Sequence, residues 1–101
     1  MPRMHLTLQQ LRLFEAVARH RHFTRAAEEL HLTQPAVSIQ LRRLEENVGA
    51  KLFEHIGKWF FLTPAGHEMH AACNDILERL RTLEQALDSL DDTLQGPLRL
   101  A

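Results

Sequence analysis

Apolar side chains recur in alternating steps of four and three at Met69, Cys73, Ile76, Leu80, Leu83, Leu87, Leu90 and Leu94. That spacing holds one stripe on one side of a helix, the heptad seam of a coiled coil. Thr63-Pro64 supplies a start, with threonine as cap and proline in the first turn. Gly96-Pro97 supplies a stop. Roughly 31 residues at ~1.5 Å each make a rod of about 45 Å. The roughly 60 residues before it are too few to cover such a rod, so the eight seam residues predict dimerisation through this helix. A two-fold dimer then carries every other feature of the chain twice.

Those preceding residues show a succession of short elements. Thr7 and Gln10 form a capping-box pattern, and Leu11, Phe14, Val17 and Ala18 follow at helical spacing, which predicts a helix over 8–19. Residues 20–23 are a polar connection anchored by Phe23. Thr24 is placed to cap a short helix over 24–31, whose Ala26 and Ala27 allow close approach of another helix. Thr33 caps a third helix with Val37, Leu41, Leu44 and Val48 as its buried stripe, and Gly49 ends it. Two β-prone runs, 52–56 and 59–62, flank Gly57-Lys58, a two-residue hairpin signal.

Two short helices joined by a tight turn, with a hairpin directly after, form a winged helix-turn-helix. The third helix tests this. At about 100° per residue, and with Gln34 at zero, the stripe from Val37 to Val48 falls between about 280° and 340°. Pro35, Ser38, Ile39 and Arg42 fall between about 40° and 140°, on a separate face. That face suits a major groove. Gln34 can pair with an adenine edge, Ile39 can meet a thymine methyl, and Ser38 can serve a base or a phosphate. Pro35 lacks a donor that a first turn leaves unpaired anyway. Arg42 and Arg43 can reach phosphates, as can Thr24 and Arg25 at the start of the second helix and Thr33 at the start of the third. Lys58 at the hairpin tip can reach a minor groove or a phosphate.

The net charge of −1 hides a split. Residues 1–58 hold nine Lys/Arg and six Asp/Glu, hence +3, whereas residues 59–101 hold three and seven, hence −4. Five of the seven histidines also lie in the first part. A basic head on an acidic rod is compatible with polyanion binding by the head. His20 and His22 read as decoration of that head. No run of about 18 apolar residues is present to span a membrane. A single cysteine, Cys73, cannot staple the chain, so a reducing cytoplasmic setting is expected, and its place on the seam reads as packing. His67 and His70 share a helix face without a third ligand, so no metal site is expected. No nucleophile–base pair or carboxylate pair is evident, and an enzyme is not expected.

Three stretches together, TRAAEELHLTQPAVS at 24–38, LEE with LFE at 44–54, and LTPAG at 62–66, closely resemble the N-terminal region of LysR-type transcriptional regulators. Within that family, FEAVARH at 14–20 and LFEHIGKWFFLTPAG at 52–66 look most like the CbbR branch, regulators of Calvin-cycle carbon-fixation operons. The resemblance implies a mainly α chain: a winged helix-turn-helix at 1–62, a linker and dimerisation helix at 63–95, and at 96–101 the start of an effector-binding domain that the chain lacks. Base-proximal residues would be Gln34, Pro35, Ala36, Ser38 and Ile39, with a wing at His55, Gly57 and Lys58. It further implies promoter DNA as partner and pairing of linker helices antiparallel. Full-length chains would form tetramers as dimers of dimers, with RNA polymerase as a further candidate partner. A cytoplasmic, nucleoid-associated protein follows, with no cofactor here and a small-metabolite effector bound in the absent part. Many members carry arginine at the positions of Ile39 and His55, so this chain departs from the pattern at both. The alternatives are a LysR-type regulator of another metabolic operon, a stand-alone winged-helix repressor, and a coiled-coil module without a DNA role.

Overall fold

A computed structural model of the chain describes the backbone of residues 5–100 and the side chains of residues 5–91. The described elements follow the order α1 (Leu8–His20), α2 (Phe23–Leu30), α3 (Gln34–Val48), β1 (Phe53–Ile56), β2 (Trp59–Leu62) and α4 (Pro64–Leu100). The fold is mainly helical with a two-stranded antiparallel wing, and α4 stretches the molecule to 58 Å.

The helix starts follow from capping chemistry. Thr7 Oγ1 accepts the Gln10 N–H at 3.0 Å, and Gln10 Oε1 accepts the Thr7 N–H at 3.2 Å, a full capping box. Thr33 Oγ1 accepts the Ala36 N–H, with Pro35 in the first turn of α3. Gly49, at φ 80°, closes α3 in the left-handed region that glycine enters freely. At the hairpin, Gly57 has φ 62°, the glycine-first pattern of a two-residue turn. The register pairs Phe53 with Leu62 and Ile56 with Trp59.

Two boundaries differ from the sequence reading. The N-cap of α2 is His22, which makes no side-chain cap bond, so Thr24 lies within the first turn instead of capping it. The cause is the wing. Residues 21–23 run alongside β2, with Phe60 N–H donating to the Arg21 carbonyl at 3.0 Å and Phe23 N–H donating to the Lys58 carbonyl at 3.1 Å. This pairing holds His22 extended and makes the helix begin one residue earlier. The second difference is that α4 runs through Gly96-Pro97 to Leu100. A glycine and a proline weaken a helix without forbidding it, since the proline removes a single donor. Leu94 lies outside the residues whose side chains are described, as do the side chains of 96–101.

The core gathers a few side chains from each element: Leu13, Phe14 and Val17 of α1, Ala26 of α2, Val37 and Leu44 of α3, Leu52 and Phe60 around the wing, and Cys73 of α4. Phe14 meets Phe53 with ring centroids 5.1 Å apart, and Phe53 meets Phe60 at 5.4 Å. Ala26 and Ala27 are buried, which lets α2 lie close against its neighbours. Residues 51–53 are gripped from both sides. Glu45 of α3 accepts the Leu52 and Phe53 N–H groups at 2.8 and 3.2 Å. Thr63 donates its hydroxyl to the Lys51 carbonyl at 2.6 Å and its N–H to the Leu52 carbonyl at 3.0 Å. The same hydroxyl accepts the Gly66 N–H at 3.0 Å, capping α4. A Cβ at Gly66 would lie 2.1 Å from the Leu52 carbonyl oxygen, so only glycine fits there.

On the outer side, Arg19 bridges Glu15 at 2.8 Å and Glu29 at 2.6 Å, tying α1 to α2, and His20 Nε2 meets the same Glu29 at 2.6 Å. His20 therefore packs into the hydrogen-bonded cluster around Glu29 instead of standing free on the surface. Hydrogen bonds from Arg19, then from His20, hold the Glu29 carboxyl down at about 2. Arg19 likewise lowers Glu15, while the two carboxylates raise Arg19.

Two outcomes follow. Gly66→Ala must push α4 off the Leu52 carbonyl and should cost roughly 1–3 kcal/mol or more, seen as a fall of several degrees in the thermal midpoint by circular dichroism; an unchanged midpoint would contradict the contact. For Glu29, the folded pKa lies below the ordinary 4.5. Its contribution is thus present above pH 4.5 and fades as pH falls toward 2. Because Glu29 is 39% exposed, water limits that contribution to under about 1 kcal/mol. Glu29→Gln should flatten the midpoint-versus-pH curve in this window relative to wild type, and parallel curves would argue against the cluster.

Candidate nucleic-acid interface

Helix α3 presents two faces. Val37, Leu41 and Leu44 are buried, with Val48 packed against the core more loosely. Gln34, Pro35, Ile39, Arg42 and Arg43 are exposed, while Ala36 and Ser38 are half-buried. Ile39, a large apolar side chain, keeps 49% of its surface in solvent. The turn before α3 is three residues, 31–33, and its geometry is held by His31 at φ 57°, with Leu32 N–H returning to the Ala27 carbonyl at 2.9 Å. The helix-turn-helix is therefore rigid at the point where α3 emerges.

The α2 start lies beside the α3 start. Gln34 Nε2 donates to Thr24 Oγ1 at 2.9 Å, a bond between residues ten apart that spans the two helices. Arg25 follows Thr24 and is exposed. No side chain caps α2, and of its first-turn donors the Phe23 N–H is taken by the Lys58 carbonyl.

The wing sits on the other flank. Gly57 and Lys58 form its exposed tip. His55 is exposed, yet its ring lies edge-on to Phe23 at 5.8 Å and near Phe60 at 5.7 Å. It thereby sits on the inner face of the hairpin, toward α3. A cleft of about 190 Å³ opens there, lined by Ser38, Arg42, Lys51 and His55 among others. Lys51 was absent from the residues read as functional in the sequence. Its only sequence signal is membership of the basic head, and the placement beside Arg42 arises from the grip on residues 51–53. Three predicted residues, Ser38, Arg42 and His55, thus share one cleft, which Lys51 and the Glu45 carboxylate also line, while Thr24 and Gln34 form a pair of their own; Lys58, Arg25 and Arg43 are exposed. His22 lies edge-on against Trp59 at 4.8 Å, so it braces the wing.

The heptad seam divides in two. Cys73 is fully buried within the chain, and its thiol donates to the Leu11 carbonyl at 3.2 Å. Burial pushes that thiol up to about 11, so it stays protonated and unreactive at neutral pH. Met69 packs partly against the same core. Cys73 therefore serves the head, in place of an interface between chains, because α4 crosses α1 at this level, and Met69 lies at the margin of the same core. Beyond them Ile76, Leu83, Leu87 and Leu90 are each about half exposed, from 45 to 55%. Leu80 is half-buried and lines, with Leu8 of α1, Ile76, Leu83 and Ala86, a largely apolar groove of about 750 Å³. Leu8, 47% exposed, extends the stripe onto α1 and was not read as part of it. Among the described residues, no group of three His, Cys, Asp or Glu is placed to hold a metal, and no helix is long and apolar enough to cross a membrane.

Comparison with known proteins adds to this geometry. Residues 8–67 match the family described as "Bacterial regulatory helix-turn-helix protein, lysR family". The chain is 54% identical over 98 residues to a RuBisCO operon transcriptional regulator of Allochromatium vinosum, covering 97% of this chain and 32% of that protein. It is 42% identical over 93 residues to the regulator CbbR of Rhodospirillum rubrum, covering 92% and 31%. The chain thus spans about a third of the length of the curated relatives it matches. Among solved structures, the BenM DNA-binding domain in complex with catB site 1 DNA superposes with a TM-score of 0.79 at 30% identity, covering 84% of this chain and 96% of that one. The CbnR DNA-binding domain in its DNA complex gives 0.75 at 31% identity, covering 84% and 99%.

Proposed function

Because the chain belongs to the lysR family of bacterial regulatory helix-turn-helix proteins, we propose that it is the dimeric, sequence-specific DNA-binding region of a transcription regulator that controls a CO2-fixation operon. The observation that carries DNA binding is the two-faced α3, with Gln34, Pro35, Ser38, Ile39 and Arg42 turned away from a fully packed stripe. The matched relatives are transcription regulators, not enzymes. Their RuBisCO-operon role at 54% identity supports the carbon-fixation assignment.

In this reading α3 enters the major groove. Gln34, Pro35, Ala36, Ser38 and Ile39 approach base edges, and Ile39 meets a thymine methyl. Thr24, Arg25, Thr33, Arg42 and Arg43 grip phosphates. The wing, through His55, Gly57 and Lys58, follows the backbone toward the adjacent minor groove, and Lys51 joins Arg42 and His55 around one phosphate in the cleft. Residues 1–62 form the DNA-binding unit, and the helix α4 from Pro64 onward forms the linker. Two α4 helices pair antiparallel through Ile76, Leu80, Leu83, Leu87, Leu90 and Leu94, with Leu8 at the margin. The dimer then reads two half-sites about one helical turn, or a multiple, apart. In the full-length protein, dimers pair into tetramers, a small metabolite binds outside these residues, and promoter-bound protein contacts RNA polymerase, on the nucleoid in the cytoplasm.

A gel-shift titration against carbon-fixation promoter DNA tests this. Binding should fall steeply with salt, and Arg42→Ala with Lys58→Ala should weaken it on all sequences and reduce the log–log salt slope by about 2, one per lost phosphate contact. No binding at low salt would instead favour a coiled-coil module. Leu83→Asp with Leu87→Asp places charges in the exposed part of the seam. Light scattering should then give a monomer in place of a dimer while the thermal midpoint of the head stays close to wild type; a mass unchanged by the charges would place the interface elsewhere.

A further inference from the structure

The bond between Gln34 and Thr24 has a consequence for base selectivity, and it rests on the DNA-binding reading above. A glutamine amide is nearly symmetric in shape, with an acceptor on one side and two donors on the other. Its partners therefore decide which way round it sits. Here Nε2 gives one N–H to Thr24 Oγ1 at 2.9 Å. The exposed side chain keeps its carbonyl Oε1 and a second N–H for another partner. That pair, one acceptor beside one donor, matches the N6–H donor and N7 acceptor of adenine. Turned over, the amide would offer Oε1 to the threonine hydroxyl and present the same acceptor and donor in reversed order, which sets donor against donor and acceptor against acceptor at adenine and removes its advantage over guanine.

Thr24 decides between the two. A hydroxyl has one proton and two lone pairs. Thr24 lies in the first turn of α2, where no side chain caps the helix and a phosphate is favoured. A hydroxyl that donates its proton to a phosphate oxygen has only lone pairs left for Gln34, so the amide must donate to it. We propose that Thr24 is a positioning residue that sets the adenine-over-guanine choice of Gln34. A sequence-independent backbone contact is thus converted into the orientation of a base-reading group. Thr24 is half-buried and Gln34 is exposed, consistent with a fixed support behind a reaching side chain.

The test is selection of bound duplexes from a random pool by the 101-residue chain, followed by sequencing, for wild type, Gln34→Ala, Thr24→Val, Thr24→Ala and Thr24→Ser. The position read by Gln34 is the one whose preference disappears in Gln34→Ala. Wild type should favour adenine over guanine there by about 10-fold or more. Thr24→Val and Thr24→Ala, each checked for folding by thermal melting, should reduce that ratio to about 2-fold or less, and Thr24→Ser, which keeps the hydroxyl, should retain it. If Thr24→Val does not fold, Thr24→Ala against Thr24→Ser makes the same comparison. A uniform loss of affinity with an unchanged adenine-to-guanine ratio would overturn the proposal and leave Thr24 a simple phosphate contact. So would a ratio lost equally in Thr24→Ser, or a wild-type preference for guanine. Failure of wild type to enrich any duplex would overturn the DNA-binding reading and this proposal with it.

Discussion

Three elements meet at the backbone of residues 51–53. Glu45 reaches from the last turns of α3 to take two N–H groups there, and Thr63 reaches from the head of α4 to take a carbonyl on each side. A carboxylate accepting two backbone donors makes charge-assisted hydrogen bonds, stronger than neutral ones. Gly66 lets α4 come within contact of the Leu52 carbonyl, so the grip has no slack on that side. Recognition helix, wing and linker helix are therefore fixed to one short segment. The wing cannot swing independently of α3, and the direction in which α4 leaves the head is set by the same few atoms.

The wing is held along its second edge as well. Arg21 and Phe23 pair with β2, and His22 and Phe23 pack rings against Trp59 and Phe60. A two-stranded hairpin is marginal in isolation, and a third short run of backbone supplies part of what it lacks. The residues that pin the wing also set where α2 begins, so Thr24 falls in the first turn, within reach of Gln34. Support for the hairpin and alignment of the two helices are one arrangement. Arg21 adopts left-handed geometry, an uncommon choice for a side chain of its size, at the residue whose carbonyl joins β2.

The parts of this fold that were legible in the sequence are those dictated by local chemistry. Thr7, Thr33 and Thr63 cap because a hydroxyl at that position satisfies donors within three residues, and Gly57 turns because its φ is free of a Cβ. The stripe on α3 was legible for the same reason, as a periodicity. What escaped were contacts between residues distant in sequence. Thr24 looked like a cap by the rule that finds Thr33, and only the pairing of residues 21–23 with β2 displaces it. His20 and His22 looked like surface charge until Glu29 and Trp59 were placed beside them. Lys51 carries no local pattern at all. Cys73 fits the heptad as well as Leu83 does, and periodicity cannot tell a partner in the same chain from one in another.

That division of α4 is itself mechanical. Up to Cys73 the helix is part of the head, anchored through Leu11 and the α1 core. From Ile76 onward the stripe, apart from the half-buried Leu80, faces solvent together with Leu8. A single uninterrupted helix joins the two regimes, and an α-helix transmits orientation over such a length with only gentle bending. In a dimer built on the exposed stripe, the separation and tilt of the two α3 helices are then fixed by the register of α4 against its partner and by its crossing with α1 at Cys73. Sliding the seam by one heptad would change the separation of the two heads by about 10 Å, since seven residues rise ~1.5 Å each. That exceeds what an operator of fixed half-site spacing tolerates. In such a dimer the seam register would set the spacing of the two α3 helices, although it lies far from either of them.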